Sequence, residues 1–286
     1  MPSLIDIRRR IRSVKNTQQI TRAMKMVASA RLRRAQDRVI NARPYARMAS
    51  ELLGDVVAAA GPELVEKLPL LAVRPERRVQ LVLITADRGL AGAFNSNLIK
   101  AAQQFLAERP EQEVQLELVG RKGRDFFVKR PVKISGETAG ISQSAGQTEA
   151  EQLGGKLIER FISGEADAVY LIYNEFKSVL SQRVTLKKIL PIQMPQAGAA
   201  PREYIFEQPP MQMLEKLLPE FIVLQVLEAF LESAAAEQAA RMTAMDAATT
   251  NAGEVINKLT LYMNRVRQAS ITREIIEVVS GASALE

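Results

Sequence analysis

Residues 4–56 read LIDIRRRIRSVKNTQQITRAMKMVASARLRRAQDRVINARPYARMASELLGDV, and a single spacing runs through them. Counting alternately four and three residues from Ile7 gives Ile11, Val14, Gln18, Thr21, Lys25, Ala28 and Leu32. The count continues without a slip through Val39 to Leu53 and Val56. Apolar or small side chains recurring at this period form a seam along one side of a helix, which a second helix must cover. A matching seam runs near the other end, from Leu224 through Met245, Ala248, Ala252, Val255, Leu259, Tyr262, Val266 and Ala269 to Ile276. Two such seams, far apart in the chain, predict an antiparallel pair of helices closed by a domain.

The intervening sequence supplies that domain. Val79–Thr85 is an apolar, β-branched run of the kind found in buried parallel strands. Further strands are expected near 114–119, 132–134, 168–173 and 184–190. Helices are expected up to Ala107, briefly after Gly120–Gly123, and over 149–163. This alternation predicts a doubly wound sheet with parallel connections. The expected fold is therefore α+β overall: a long antiparallel coiled coil of the N- and C-terminal helices plus a Rossmann-like α/β domain. The expected division is residues 1–61, 77–195 and 209–286.

Local signals set the ends. Ser3 is a good N-cap with Asp6 three residues on, and Gly61-Pro62 closes the first helix. Pro44 either kinks that helix or separates two abutting ones. If continuous, it would be roughly 80 Å long. Residues Gln196–Arg202, rich in Ala, read as a hinge, after which Pro209-Pro210 opens the last helix. Pro219 sits ten residues in, so regular helix is expected to begin after it.

Composition narrows function more than fold. Only 5% of residues are aromatic and none is Trp, which suits Ala- and Leu-rich helices better than a thick β core. Cysteine and histidine are both absent, excluding disulfides, thiolate metal sites and histidine bases. No apolar run approaches the ~20 residues that span a bilayer, and the N-terminus lacks a signal-peptide pattern. No cleaved transit peptide is expected either. Residues 1–47 hold thirteen Arg or Lys against two Asp, while the whole chain is +7, so everything after residue 47 carries −4. The counter-charge for that helix must come from a partner protein, a nucleic acid, or the other helix.

The loop Ala86–Asn95 carries Gly89 and Gly92 between strand and helix, as phosphate cradles do. It has neither GxGxxG nor the Lys-Ser/Thr of a P-loop, so a simple turn is the better account. Gly120-Arg-Lys-Gly123 reads as a basic surface turn. Polar residues interrupt both seams: Gln18, Thr21 and Lys25 in the first, Gln238 and Arg241 in the last. They either fix register or mark a level where the pair faces an outside partner. An antiparallel arrangement brings the two groups to a similar level. Beyond Val266, the residues Ile271, Ile275, Ile276, Val278 and Val279 lie on more than one helix face. A tip that is apolar all round needs a socket in another protein.

The stretch Ile271-Thr-Arg-Glu-Ile-Ile-Glu-Val-Val-Ser-Gly-Ala282, preceded by Arg267-Gln-Ala-Ser270, resembles the C-terminal signature of the gamma subunit family of bacterial F-type ATP synthases. Ile5–Lys15, Thr17–Ala28, Asp87-Arg-Gly-Leu90 with Asn95, and Glu237–Met245 are similar to the same family in the same order. The resemblance covers essentially the whole chain. It implies a rotor shaft that stands in a hexamer of alpha and beta subunits and makes no covalent chemistry. It implies a base bound to the epsilon subunit and to the membrane c ring. No cofactor and no direct bilayer span are expected, and the site would be peripheral, on the cytoplasmic face of the cell membrane. By the same resemblance Arg267, Gln268 and Thr272 contact the hexamer cavity, with Ile275, Ile276 and Val279 turning in an apolar sleeve. Met24, Lys25 and Arg241 would form a region that governs coupling. The rival reading from composition is an Arg-rich coiled coil that binds nucleic acid; its helix is nearly bare of stacking aromatics.

Overall fold

The computed structural model describes residues 4–60, 68–140, 146–193 and 208–283. The expected cap at Ser3, the helix end at Gly61-Pro62 and the hinge 196–202 lie outside the described residues. The chain packs as two compact units, one of Met1–Ala28 with Met242–Glu286, the other of Ser29–Arg241.

Two helices dominate: α1 (Leu4–Ala60) and, at the other end, a helix of 74 residues (Pro210–Ser283). Each proline inside them removes one N–H donor, to the carbonyls of Ile40 and Glu215. Neither proline ends its helix: α1 is continuous through Pro44, and the last helix starts at Pro210 and runs on through Pro219. One missing bond is offset where the helix is packed on both sides of its proline, as it is at Val39 and Leu53 and at Leu218 and Ile222. Every named seam position of α1 is buried or half-buried, with Ile7, Ala28, Leu32, Val39, Leu53 and Val56 fully so.

Between them lies a five-stranded sheet. Its elements are β1 (Arg78–Ile84), α2 (Phe94–Ala107), β2 (Glu113–Val119), α3 (Arg121–Phe127), β3 (Lys133–Thr138), α4 (Gln147–Ile162), β4 (Ala168–Phe176) and β5 (Gln182–Leu190). The last long helix is accordingly α5. Strand order is β3-β2-β1-β4-β5, with β1 to β4 parallel. The exception is β5, which pairs with β4 antiparallel. The sheet is therefore mixed rather than wholly parallel. The reason is length: the strands extend to Phe176 and from Gln182, so only residues 177–181 join them. A parallel crossover needs about a dozen residues. Gly120–Gly123 is likewise not a surface turn, because Arg121 to Gly123 begin α3 and Gly123 is buried.

Strand alternation sends two apolar faces in opposite directions. Val82, Ile84, Val169 and Leu171 point into a cluster with Leu153, Leu157 and Phe161 of α4, Leu53 and Val56 of α1, and Leu214 to Phe230 of α5. The same packing surrounds α5, which has no exposed residue from 222 to 241. Inside the sheet, fully buried Glu117 of β2 receives Arg160 of α4 (Nη1 to Oε2, 2.9 Å). Arg160 also donates to Gln80 Oε1 (3.3 Å) and to the Ser135 carbonyl (2.9 Å). Gly136 stands against that carboxylate, where any Cβ would collide with it.

Past Met245 the seam of α5 departs from the expected one in one of its two rows. Met245, Ala252, Leu259 and Val266 are buried or half-buried as anticipated. The companion row is Ile256, Met263 and Ser270, not Val255, Tyr262 and Ala269, which are exposed. The two rows differ by a single residue, and both offer apolar pairs (Val255-Ile256, Tyr262-Met263), so the pattern alone fits either.

Candidate functional site

In the unit containing the chain ends, side chains fix how α1 and α5 meet. Gln18 donates its side-chain amide to the Thr249 carbonyl (3.2 Å), and the hydroxyl oxygens of Thr21 and Thr249 stand 2.8 Å apart. Lys25 bonds Asp246 (2.6 Å), though the two side chains are 42% and 56% exposed, so the pair is worth at most about 1 kcal/mol. Thus Gln18, Thr21 and Lys25 find Thr249 and Asp246, not the Gln238 and Arg241 that the antiparallel reading set at their level. Thr21 is buried, Gln18 is half-buried, and both are bonded across the pair, as register-setting residues are.

Extended along both helices, this register sets Leu4 opposite a residue near about 266. From there α5 has no partner helix among the described residues of this unit. Residues 271–280 are exposed at every position. Ile275 and Ile276 are 57% and 59% exposed, Val278 is 72% and Val279 is 58%. Gln268, Thr272, Ile275, Ile276 and Val279 recur at intervals of three and four and share one face of the helix. Arg267, exposed too, stands at its margin. The structure thus brings the expected contact residues into one open stripe. Leu285, at the end of the expected tip, lies outside the described residues.

The expected coupling residues have different surroundings. Met24 and Lys25 are half-buried. In the other unit, Arg241 is buried and pairs with Glu237 one turn earlier (2.7 Å). Its Nη2 also donates to the Gly89 carbonyl (3.3 Å). Burial pushes the Glu237 carboxyl above its ordinary pKa and the Asp87 carboxylate adds to this, against the pull of Arg241 and Arg31.

The loop after β1 also meets the basic turn Gly120–Gly123. The first amides of α3 are already taken: Arg121 N–H donates to Asp87 Oδ1 (3.2 Å), Lys122 N–H to the Ala86 carbonyl (3.1 Å), and Gly123 N–H to Thr85 Oγ1 (2.9 Å). Gly120, at φ 92°, has no room for a Cβ beside the Thr85 carbonyl. The protein's own carboxylate occupies the slot an anion would use, so this is a self-capped turn.

One set of bonds escaped the sequence reading. Glu232 of α5, 3% exposed, accepts the Phe176 N–H at the end of β4 (2.8 Å). Its other oxygen accepts Arg43 of α1 (Nε, 2.9 Å), and Arg43 Nη2 also donates to the Phe176 carbonyl (2.9 Å). A carboxylate set among Ala229, Phe230, Leu231 and Ala235 was the available signal, since acids are almost never buried without a partner.

Residues 3–285 match the family model described as ATP synthase. The chain is 60% identical over 287 residues to the ATP synthase gamma chain of Solibacter usitatus, and 48% identical to that of an Anaeromyxobacter species; each match covers all of both chains. A solved central stalk and c-ring structure of Tetrahymena thermophila mitochondrial ATP synthase has a chain 26% identical, at a TM-score of 0.61, covering 80% of this chain and 99% of that one. A chain of the Euglena gracilis mitochondrial ATP synthase is 19% identical with a TM-score of 0.69, covering 99% and 94%, and shares the fold. With full-length identity at this level, the chain belongs to the ATP synthase gamma chain family.

Proposed function

We propose that this chain is the rotating shaft of its ATP synthase, coupling proton-driven rotation of a membrane c ring to ATP synthesis or hydrolysis in an alpha/beta hexamer. The observation that supports this most is the apolar end of α5, exposed on every face over residues 271–280. Exposed apolar surface of that extent marks an interaction site. Residues 1–61 and 209–286 form the paired helices, and residues 77–195 the base that meets the c ring and the epsilon subunit. Arg267, Gln268 and Thr272 contact the hexamer cavity, and Ile275, Ile276 and Val279 turn within its apolar sleeve. Met24, Lys25 and Arg241 lie in the region governing coupling.

The chain does no covalent chemistry under this reading; it acts by contact alone. A shaft shifts a catalytic subunit between open and closed states only by binding one better than the other. Full reversal of such a preference takes roughly 5.5 kcal/mol of differential binding. Among the described residues no helix is long and apolar enough to cross a membrane, so attachment to the membrane goes through the c ring, on the cytoplasmic face.

Reconstitution tests this. Added to alpha and beta subunits, the chain should restore cooperative ATP hydrolysis, and Arg267→Ala or Gln268→Ala should weaken coupled synthesis at unchanged thermal stability. Failure to associate with alpha and beta, alongside tight salt-sensitive binding to DNA, would overturn the reading.

A further inference from the structure

Apolar packing holds α1 and α5 to the sheet, but that attraction has no preferred direction. Directional bonds are needed to resist a helix turning about its own axis. Arg43, Glu232 and Phe176 supply them as a closed ring across three elements. Glu232 takes Arg43 on one oxygen (2.8 Å to Nη2) and the Phe176 N–H on the other (2.8 Å), and Arg43 returns to the Phe176 carbonyl (2.9 Å). Both backbone polar groups of Phe176, the last residue of β4, are thereby consumed, one by each helix.

We infer that the Arg43–Glu232–Phe176 ring is a torsional clasp, positioning both long helices against the central sheet so that rotation of the base is delivered to them instead of being lost as twist. The inference rests on the rotor reading given above. A turn of α5 by about 20° moves a carboxylate some 5–6 Å from its axis by about 2 Å. That is enough to break a 2.8 Å hydrogen bond. Glu232 and Arg43 are therefore sensitive to twist in a way that Leu218 or Val226, sliding in an apolar sleeve, are not. The position in the strand matters as well. β4 is paired on both sides, with β1 and with β5, so a bond to its end is a bond to an interior strand of the sheet.

The sheet holds a second pair, Glu117–Arg160, equally deep at its acid, whose bonded partners Gln80 and Ser135 all belong to strands. It touches neither long helix through a hydrogen bond and serves as the control. The test uses the whole ATP synthase in sealed vesicles, reading ions pumped per ATP hydrolysed together with thermal stability. Arg43→Met and Glu232→Gln should lower the pumping ratio about threefold to tenfold while hydrolysis persists. Arg43→Lys, which keeps a charged donor, should regain part of the loss. Arg160→Met should lower thermal stability and leave the ratio unchanged. Arg43 is half exposed, so its replacement leaves no buried void; if Glu232→Gln does not assemble, the two Arg43 variants decide. A normal ratio in Arg43→Met, or an equal fall in Arg160→Met, would overturn the clasp. Failure of the unmodified enzyme to pump would instead overturn the rotor reading.

Discussion

Residues 222–241 and residues 271–280 lie on one helix, and both carry a broad apolar surface. Over the first, not one position is exposed; over the second, every one is. The first is closed in by sheet, α4 and α1 within its own chain. The second carries Ile275, Ile276, Val278 and Val279 with no such cover among the described residues. Apolar surface of this extent left open on a helix marks an interaction site. The contrast shows where the protein ends its own folding and begins to depend on another.

The comparison breaks most visibly at Phe230, fully buried against the sheet. Phe230→Ala should destabilise the isolated chain by about 3–5 kcal/mol in denaturant titration. A loss below about 1 kcal/mol would mean that this stretch is not closed in as described.

Glu232→Ala strands the Phe176 N–H and the Arg43 guanidinium together. About 1–3 kcal/mol should be lost, since half-exposed Arg43 recovers water. Glu237→Gln sharpens the comparison through pH. The Glu237 carboxyl has a folded pKa raised above its ordinary 4.5, chiefly by burial. Its contribution to stability is present below that value and lost as pH rises through the folded pKa. The amide variant escapes this loss, so its stability relative to the parent should climb as pH rises above the ordinary carboxyl value and through the folded pKa. A relative stability that falls with pH would mean that the Arg241 pair outweighs burial.

Smallest of all, Ile276→Ser should alter the stability of the isolated chain by no more than about 0.5 kcal/mol. A loss of several times that would show the tail packed on its own body.

Much of this was legible in the residues. The α1 seam was, because every step except Gln18, Thr21 and Lys25 lands on an apolar or small side chain, and the period runs on unbroken through those three. The lower α5 seam was half legible, because Val255-Ile256 and Tyr262-Met263 satisfy two rows. Which row is covered depends on the partner helix, and a sequence period does not contain that. The parallel strands could be read from their continuous apolar runs. The direction of β5 could not be read from strand ends placed at Tyr173 and Val184; extending them to Phe176 and Gln182 shortens the connection and forces the antiparallel turn. The open stripe from Gln268 to Val279 was readable as apolar excess. The clasp was not, for Arg43 is one arginine among eleven on its helix, and only tertiary structure sets it beside Glu232 and the end of β4.

The most direct test follows hydrogen exchange along α5 in the isolated chain and after assembly with alpha and beta subunits. Amides of residues 222–241 should be protected in both states. Those of 271–280 should exchange freely alone and slow by about 100-fold or more once assembled. Equal protection of 271–280 before and after assembly would contradict the account, because the tail would then be covered by its own chain or by nothing at all.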